Sequence, residues 1–413
     1  MIAAYAKKKV LVLGDYRQTV TVVRSLGRAG FRVVLVSDRP HGSTALSRYV
    51  AATRLIGAAA PDRYRESLKE CIRETGPDFV FPVGESELRR LLHDGRHPLA
   101  GLSKWVMPEP HTVLRCFDKR AMYHLAATLG IPVCGWRPYS GPEALGRDVE
   151  ELGFPVVVKR KDSSAMLLGN NAVILRSPRE LALFTAEVQH DPDPASLMLQ
   201  KHAPGQRHNC HFAADRGRIV AYFQQKVLRT DKPDGTGIGI EGVSVAPTPQ
   251  LREYCERLLG HLDYTGIGCV QFLVDERSGA VNFLELNARM DSTAVLPYRL
   301  GVDFPLIALR IADRAAPHVP ESYAVGKRYY YLYGALNVWL AERHRQPLRH
   351  VLAWPLTAPW AALRSYDLIL DWRDPLPALH QIAHRVVRSA SKRRRRAETA
   401  PARETPVESS ARS

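Results

Sequence analysis

The chain has 413 residues, 45% of them apolar, and a formal net charge of +16. No apolar run reaches the roughly 20 residues that a membrane-spanning helix requires, so the composition predicts a globular chain of two or three domains. The six cysteines show no paired spacing and residues 1–6 are too short for an export signal, which together predict reduced thiols in the cytoplasm.

The amino-terminal region predicts a doubly wound α/β domain over residues 1–108. Its strands and helices alternate as in parallel β-α-β units, with strands at 10–14, 32–37 and 79–83 and helices at 19–29 and 61–75. The first turn lacks the G-x-G-x-x-G pattern, which argues against a dinucleotide site. Gly84 and Glu85 follow the carboxyl end of a strand, where open sheets bind ligands, but an ordinary loop acid is the simpler interpretation.

A strand ending in a buried cation marks the next region. Residues 154–159 read Phe-Pro-Val-Val-Val-Lys, an apolar strand that closes on Lys159. A buried ammonium is costly unless it meets a negative partner, and a phosphate group would supply one. Upstream, Asp118 and Lys119 open a helix that stops at Gly130, and a lysine in such a first turn is ordinarily a solvated cation.

Residues 268–289 predict an antiparallel hairpin with its turn at 276–279. Folding about this turn sets Gln271 opposite Glu285, and the two-residue period of a strand places Asn287 on the same face. The other face then pairs apolar residues, namely Val270, Phe272 and Val274 with Leu286 and Leu284. One carboxylate beside two amide oxygens is a good partial shell for Mg²⁺, whose other ligands would be water and phosphate.

This pattern, with Arg289 two residues further on, resembles the metal-binding hairpin of the ATP-grasp superfamily, and most closely that of the synthetase domains of carbamoyl phosphate synthetase. Ala288 stands where members usually carry proline. The resemblance covers about residues 9–315, with its parts in family order. It implies a pre-ATP-grasp domain, then a two-part ATP-grasp domain of α+β type over residues 109–320, which binds ATP with Mg²⁺ or, as an alternative ion, Mn²⁺.

The resemblance also implies roles for individual residues. Gln271, Glu285 and Asn287 would hold the metal, and Arg289 and Lys159 would act on the transferred phosphoryl group. The implied nucleotide contacts are the phosphate-binding Lys119 and Lys159, the adenine edge at Gln200, Lys201 and His202, and the ribose side at Gln206 and His208. A zinc site at His208, Cys210 and His211 is disfavoured, because strand alternation sends His211 to the opposite face.

Residues 162–171 occupy the position of the family's mobile phosphate loop, in which backbone N–H groups of small residues cradle anions. This copy has one glycine and an apolar Met166-Leu167-Leu168 centre. The departure predicts either reduced catalytic competence or a loop that packs on an apolar substrate.

Beyond the ATP-grasp part, residues 321–384 predict a helical, aromatic-rich extension. The apolar run at 351–363 is too short and proline-broken to span a bilayer, so it forms either an extra helical layer, the favoured interpretation, or a membrane-interfacial surface through Trp354 and Trp360. The tail at 385–413 is disordered by composition and carries a net charge of +6. A tail with this charge is expected either to contact anionic lipid or simply to keep the chain soluble. No recognised module in the sequence predicts specific nucleic-acid binding.

The function implied by the resemblance is an ATP-dependent carboxylate–amine ligase, which forms an acyl phosphate and ADP from small-molecule substrates. Phosphoryl transfer depends chiefly on positioning and on cations that offset charge, so no nucleophilic triad is needed. The alternative is a non-catalytic ATP-binding or membrane-recruited scaffold of the same fold. We expect a homodimer as the default assembly, in the cytoplasm or peripheral to the inner face of the membrane.

Overall fold

The computed structural model describes residues 5, 7–57, 60–162, 165–343 and 348–385. Two predicted segments lie partly outside the described residues. These are the predicted disordered tail, of which only Arg385 is described, and the predicted phosphate loop, which lacks Ser163 and Ser164.

The first part of the chain is a five-stranded parallel sheet with strand order β3-β2-β1-β4-β5. The strands are β1 (Lys9–Leu13), β2 (Arg32–Ser37), β3 (Val50–Leu55), β4 (Phe79–Pro82) and β5 (Lys104–Trp105). The helices are α1 (Arg17–Arg28), α2 (Pro61–Thr75), α3 (Glu85–Leu91) and α4 (Pro110–Phe117).

The central strand β1 explains why this sheet is covered on both sides. Its side chains alternate between two apolar clusters, Val10 and Val12 in one and Leu11 and Leu13 in the other. A strand buried on both faces reads as a continuous apolar run and requires helices on each side of the sheet. The predicted doubly wound α/β domain is confirmed, and its strands direct their carboxyl ends toward Gly84 and the start of α3.

A four-stranded antiparallel sheet follows, with strand order β6-β9-β7-β8. Its strands are β6 (Trp136–Pro138), β7 (Val156–Arg160), β8 (Ala172–Leu175) and β9 (Leu197–Lys201). Helix α5 (Lys119–Thr128) precedes this sheet, and α6 (Pro142–Leu152) and α7 (Pro178–Val188) pack on it through a separate apolar cluster.

The second antiparallel sheet has six strands in the order β14-β13-β10-β11-β12-β15. Its strands are β10 (Gln206–Asp215), β11 (Arg218–Thr230), β12 (Gly239–Ser244), β13 (Gly266–Val274), β14 (Val281–Asn287) and β15 (Arg328–Tyr330). Helices α8 (Pro249–His261), α9 (Val295–Arg299) and α10 (Phe304–Ala312) accompany it. The fold class predicted from the sequence, α/β followed by α+β, is confirmed.

The predicted hairpin is formed by β13 and β14, with one correction to its register. Gln271 lies opposite Glu285, and Val270 lies opposite Leu286, as predicted. The register then shifts, so that Phe272 lies opposite Phe283 rather than Leu284. This is a β-bulge, in which one extra residue is left out of the ladder, and simple alternation could not reveal it.

The carboxy-terminal region contains α11 (Leu332–Glu342), α12 (Leu348–Leu363) and a helical stretch over residues 376–385. β15 falls inside the predicted extension but pairs with β12, so this region adds a strand to the six-stranded sheet. The exact domain boundaries at 108, 320 and 384 remain predictions. In the part of the chain that the structure describes, every helix is too short or too polar to cross a bilayer.

A buried ion pair fastens the carboxy-terminal region to the first domain. Arg24 of α1 donates through Nε to Asp374 Oδ2 at 2.8 Å, and its two terminal nitrogens donate to the carbonyl oxygens of Ile369 and Asp374, each at 2.7 Å. Ser47 Oγ and the backbone N–H of Arg48 also donate to the Asp374 carboxylate. Both charges are almost fully buried and both are well supplied with partners.

Asp374→Ala should lower the free energy of unfolding by about 3–5 kcal/mol, because it leaves the buried Arg24 guanidinium without its carboxylate partner. Urea unfolding followed by circular dichroism measures this change. The control Arg373→Ala removes an exposed neighbouring side chain and should cost less than about 0.5 kcal/mol. Equal effects of the two variants would show that the ion pair does not hold the extension in place.

Candidate functional site

A cavity of about 1090 Å³ lies where the first domain meets the two antiparallel sheets. It brings together most of the residues that the sequence singled out. Those that line it are Lys119, Lys159, Gln200, Lys201, His202, Gln206, Gln271, Glu285, Asn287 and Arg289. The residues come from six separate elements, so the cavity exists only in the folded chain.

The hairpin supplies the polar row of the cavity. Glu285 and Gln271 face each other across the β13–β14 ladder, and Asn287 Nδ2 donates to Glu285 Oε1 at 2.8 Å. Burial alone would raise the pKa of Glu285, but Lys119, the Asn287 hydrogen bond, Arg289 and Lys159 together hold it below its ordinary value. Glu285 is therefore an ionised carboxylate at neutral pH.

Two lysines surround this carboxylate. Burial lowers the pKa of Lys159 from its ordinary value of 10.5 to about 8, against the opposing influence of Glu285. Burial also lowers the pKa of Lys119, with Glu285 opposing the shift and Lys159 adding to it. Lys119 is the first residue of α5. Its backbone N–H donates to the Lys161 carbonyl at 3.0 Å, which ties the start of the helix to the segment that follows β7. A cavity with these groups favours an anionic ligand.

Tyr123 is a site residue that the sequence reasoning missed. Lys159 Nζ donates to its hydroxyl at 2.8 Å, and the hydroxyl faces two acceptors, Gln200 Oε1 at 3.3 Å and the carbonyl of Leu284 at 3.1 Å. Leu284 is the bulged residue of β14. The available signal was the spacing of Tyr123 four residues after Lys119, which places both on one face of α5.

Glu85 of the first domain reaches the same cavity. Its carboxylate lies 3.6 Å from Arg289 Nε and 2.7 Å from an Arg89 nitrogen, and Arg89 in turn lies 2.6 Å from Asp162. The sequence left Glu85 open between an ordinary loop acid and a ligand-site residue. Its contact with Arg289 makes it part of the cavity wall.

The structure corrects the placement of His208. Its imidazole is buried on the other face of β10, where Gln224 Nε2 donates to Nδ1 at 3.1 Å. The neighbouring residues Arg207 and Asn209 line the cavity instead. Asn209 lies opposite Gln271 in the β10–β13 ladder, so the two-residue period of the strand places His208 on the face away from Gln271.

The glycine-poor loop is fastened at its base by Arg160. The Arg160 guanidinium donates to the Met166 carbonyl at 2.9 Å and pairs with Asp191 at 2.6 Å. Leu167 is fully buried, while Met166 and Leu168 are about half exposed beside it. Packing of these exposed side chains on an apolar substrate stays a prediction.

The comparisons with known proteins agree with this geometry. The sequence model for the carbamoyl-phosphate synthase L chain, ATP binding domain, matches residues 242–316, which include the hairpin. A putative urea carboxylase of Emericella nidulans is 22% identical over 326 residues, covering 75% of this chain and 26% of that protein. A formate-dependent phosphoribosylglycinamide formyltransferase of Synechococcus sp. is 30% identical over 201 residues, 48% of each. The chain thus spans about a quarter to a half of the length of these curated relatives.

Solved structures show the same architecture. The biotin carboxylase domain of Hydrogenobacter thermophilus 2-oxoglutarate carboxylase has a TM-score of 0.62 at 18% identity, covering 78% of this chain and 73% of that one. N5-carboxyaminoimidazole ribonucleotide synthetase of Thermus thermophilus has a TM-score of 0.59 at 16% identity, covering 77% and 81%. The fold and the hairpin define an ATP-grasp architecture. The domain model that matches the hairpin region and the shared architecture confirm the resemblance to the ATP-grasp superfamily that was drawn from the sequence.

The lowered pKa of Lys159 makes stability depend on pH. Between about pH 8 and 10.5 the unfolded chain keeps a proton at this lysine that the folded chain has released, so the free energy of unfolding should rise with pH. The difference in free energy of unfolding between the unaltered chain and Lys159→Met should grow by roughly 2–3 kcal/mol in favour of the unaltered chain between pH 7 and 10.5. Urea unfolding at several pH values measures the difference.

The exposed cavity residue Lys201 provides the control for this measurement. Lys201→Met removes an exposed lysine from the same cavity, so it should not reproduce the pH-dependent difference expected for the buried Lys159. A pH-independent difference for Lys159→Met as well would show that the Lys159 ammonium is not destabilised by burial.

Proposed function

We propose that this chain is an ATP-dependent ligase that activates a substrate carboxylate as an acyl phosphate and joins it to an amine. The observation that carries the proposal is the row of Gln271, Glu285 and Asn287 on one face of a hairpin, with the buried Lys159 and the half-buried Lys119 beside the carboxylate of that row. The resemblance to ATP-grasp enzymes supports it, and so does the similar Hydrogenobacter thermophilus structure, which is a complex with MgADP and bicarbonate.

The donor set suits Mg²⁺, with Mn²⁺ as an alternative ion. Glu285 is ionised, and Gln271 and Asn287 carry the amide oxygens that hard cations accept. The amide of Asn287 turns its nitrogen to Glu285, so joint coordination by both residues requires that amide to rotate and present its oxygen. The described residues contain no group of three or more His, Cys, Asp or Glu side chains suited to a metal. A carboxylate-poor site of this kind fits an ion that is shared with nucleotide phosphates.

The positive groups of the cavity then act on the phosphates. Lys119 and Lys159 bind phosphate oxygens, and phosphate restores the ammonium form of Lys159 that burial disfavours. Tyr123 holds the Lys159 ammonium in place through its hydroxyl. Arg289, held by Glu85 at 3.6 Å, turns to the phosphoryl group during its transfer to the carboxylate. Metal bound at the hairpin would offset charge on the same oxygens.

The nucleoside lies along β9 and the start of β10 in this proposal. Gln200, Lys201 and His202 form the adenine edge, and Gln206 stays on the ribose side. Arg207 replaces His208 there, because it faces the cavity. Attack of the carboxylate on the γ-phosphorus releases ADP, and attack of the amine on the acyl phosphate then releases phosphate, so each turnover yields one of each.

Glu285→Gln should reduce turnover by about 10²–10³-fold, because it removes the only charged ligand of the proposed metal from the phosphoryl-transfer site. The assay incubates the purified chain with MgATP and pooled carboxylates and amines, and follows ADP and phosphate together. Mass spectrometry of the products identifies the substrates.

Glu276→Gln is the matched control, since it makes the same change on the exposed turn of the same hairpin. It should keep full turnover. Unchanged ADP release by Glu285→Gln would contradict the proposed metal site. MgATP binding without substrate-stimulated release in any mixture would favour the scaffold alternative, and ADP without free phosphate would indicate transfer to a hydroxyl group.

Helix α12 supports a second proposal, contact with an anionic membrane surface. Four apolar side chains of α12, each more than half exposed, follow helical spacing along one face: Leu352, Leu356, Trp360 and Leu363. Exposed arginines lie at both ends of the helix, Arg349 at the start and Arg364 over the ring of Trp360 at 4.1 Å. An apolar face with basic flanks fits the boundary between acyl chains and anionic headgroups. Homodimerisation of this chain likewise stays a proposal.

Flotation with lipid vesicles tests this surface. The chain should float with phosphatidylcholine vesicles that contain phosphatidylserine, and Leu352→Glu with Leu356→Glu should weaken binding at least about tenfold, since each leucine contributes about 1.5 kcal/mol or more. Leu183→Glu changes an exposed leucine of α7 and should have no effect. Equal flotation of both variants, or a self-associated chain whose dimer is abolished by the α12 changes, would overturn the membrane proposal.

A further inference from the structure

A second polar cluster lies in the cavity next to the hairpin row. Asn209 of β10 is the ladder partner of both Gln271 on β13 and Gln225 on β11. Asp291 and Thr293 follow the end of β14, and Thr293 contacts both amides. Asp291, Thr293 and Asn209 line the cavity, and Gln225 contacts Thr293 from the adjacent strand β11.

The single hydrogen of the Thr293 hydroxyl determines which way the amide groups of Asn209 and Gln225 face. The Thr293 hydroxyl has one hydrogen, which it donates to Asp291 Oδ1, and the Thr293 backbone N–H donates to the same oxygen at 2.8 Å. The hydroxyl oxygen then accepts from Asn209 Nδ2 at 3.3 Å and from Gln225 Nε2. Both amides must therefore turn their nitrogens to Thr293 and their oxygens away from it.

This orientation leaves acceptors without donors. Among the described residues, neither Asn209 Oδ1 nor Gln225 Oε1 has a hydrogen-bond partner, although both side chains are almost completely buried. Buried acceptors of this kind are rare in folded proteins and call for a specific explanation. The orphan oxygen of Asn209 belongs to a residue of the cavity wall, where a ligand can supply the missing donor.

The charge of the cluster is negative. Burial alone would raise the pKa of Asp291, but the hydrogen bonds of Thr293 and the Arg289 guanidinium, with His211 at pH values where its imidazole is protonated, hold it below its ordinary value. Burial lowers the pKa of His211, whose Nε2 lies 4.0 Å from Asp291 Oδ1, so the imidazole is neutral near pH 7. A carboxylate with neighbouring carbonyl oxygens repels anions and attracts a cation that carries N–H groups.

We propose that Asp291 and Asn209 form a subsite for a protonated primary amino group carried by one of the two substrates. Asp291 supplies the charge, Asn209 Oδ1 accepts an N–H, and Thr293 and Gln225 act as positioning residues. The inference rests on the proposed function, because Asn209 lies opposite Gln271 in the sheet and Asp291 follows Asn287 by four residues. An amino compound held there would lie beside the phosphoryl-transfer site, on the side away from the lysines.

The test measures binding of methylammonium chloride to the full chain by thermal shift, against tetramethylammonium chloride at equal ionic strength. Tetramethylammonium has the same charge but no N–H. The unaltered chain should respond to methylammonium more strongly, and Asp291→Asn should weaken the apparent affinity about tenfold, the loss expected for one charge-assisted hydrogen bond. Asn209→Ala removes the orphan oxygen, leaves Asp291 intact, and should also weaken methylammonium binding. This second variant keeps the test decisive if Asp291→Asn fails to fold.

Asp234→Asn is the matched control, because Asp234 lines the same cavity but hydrogen-bonds within its own exposed loop. It should leave the methylammonium response unchanged. MgADP binding is measured on the same samples. A chain that binds MgADP but responds equally to both cations, or to neither, overturns the subsite and leaves the ligase proposal standing. If the chain responds to Mn²⁺ in the absence of nucleotide and Asp291→Asn abolishes that response, the subsite is overturned and a metal site is indicated. A chain that binds no nucleotide contradicts the ligase proposal.

Discussion

The cavity depends on the balance between one partly buried carboxylate, that of Glu285, and the cations around it. Glu285 faces Lys119, Lys159 and Arg289, so the hairpin side of the cavity carries more positive than negative charge even with Glu85 opposite Arg289. Charges withdrawn from water are costly unless they are paired. The lowered pKa of Lys159 measures part of this cost. A polyanionic ligand removes the imbalance, which is why the arrangement favours binding of nucleotide phosphates over an empty cavity.

The β-bulge at Leu284 connects the hairpin to this charge balance. The bulge takes Leu284 out of the β13–β14 pairing, and its carbonyl oxygen faces the Tyr123 hydroxyl. That hydroxyl accepts from the Lys159 ammonium and also faces Gln200. One hydroxyl thus links α5, β7, β9 and β14, so Lys159, the proposed adenine edge and the proposed metal-binding hairpin are held in one fixed relation. An irregularity in the strand is therefore part of how the site is built, as bulges near active sites often are.

The sequence predicted the hairpin pair Gln271 and Glu285 because both depend on short-range rules, turn chemistry and a two-residue period. It predicted Lys159 for a similar reason, since an apolar strand that closes on a cation is a local pattern. The sequence could not show which face of β10 carries His208, because the face that meets the cavity is set by pairing with β13, about sixty residues away. Tyr123, Asp291 and Asn209 escaped notice for the same reason, since their roles arise from contacts between distant segments. β15 was placed in a helical extension because three residues, Arg328 to Tyr330, are too few to show a strand period.

The first domain and the carboxy-terminal region both bear on the cavity, although most of its walls belong to the two antiparallel sheets. Arg24 and Asp374 bind the carboxy-terminal region to α1, and β15 binds the same region to the six-stranded sheet. Glu85 then enters the cavity from the first domain and holds Arg289. A phosphate group carries more charge than the Glu85 carboxylate and forms stronger bidentate contacts with a guanidinium. In the proposed reaction, the transferring phosphate would therefore draw Arg289 away from Glu85, and the interaction between the first domain and the hairpin would weaken as the phosphate binds.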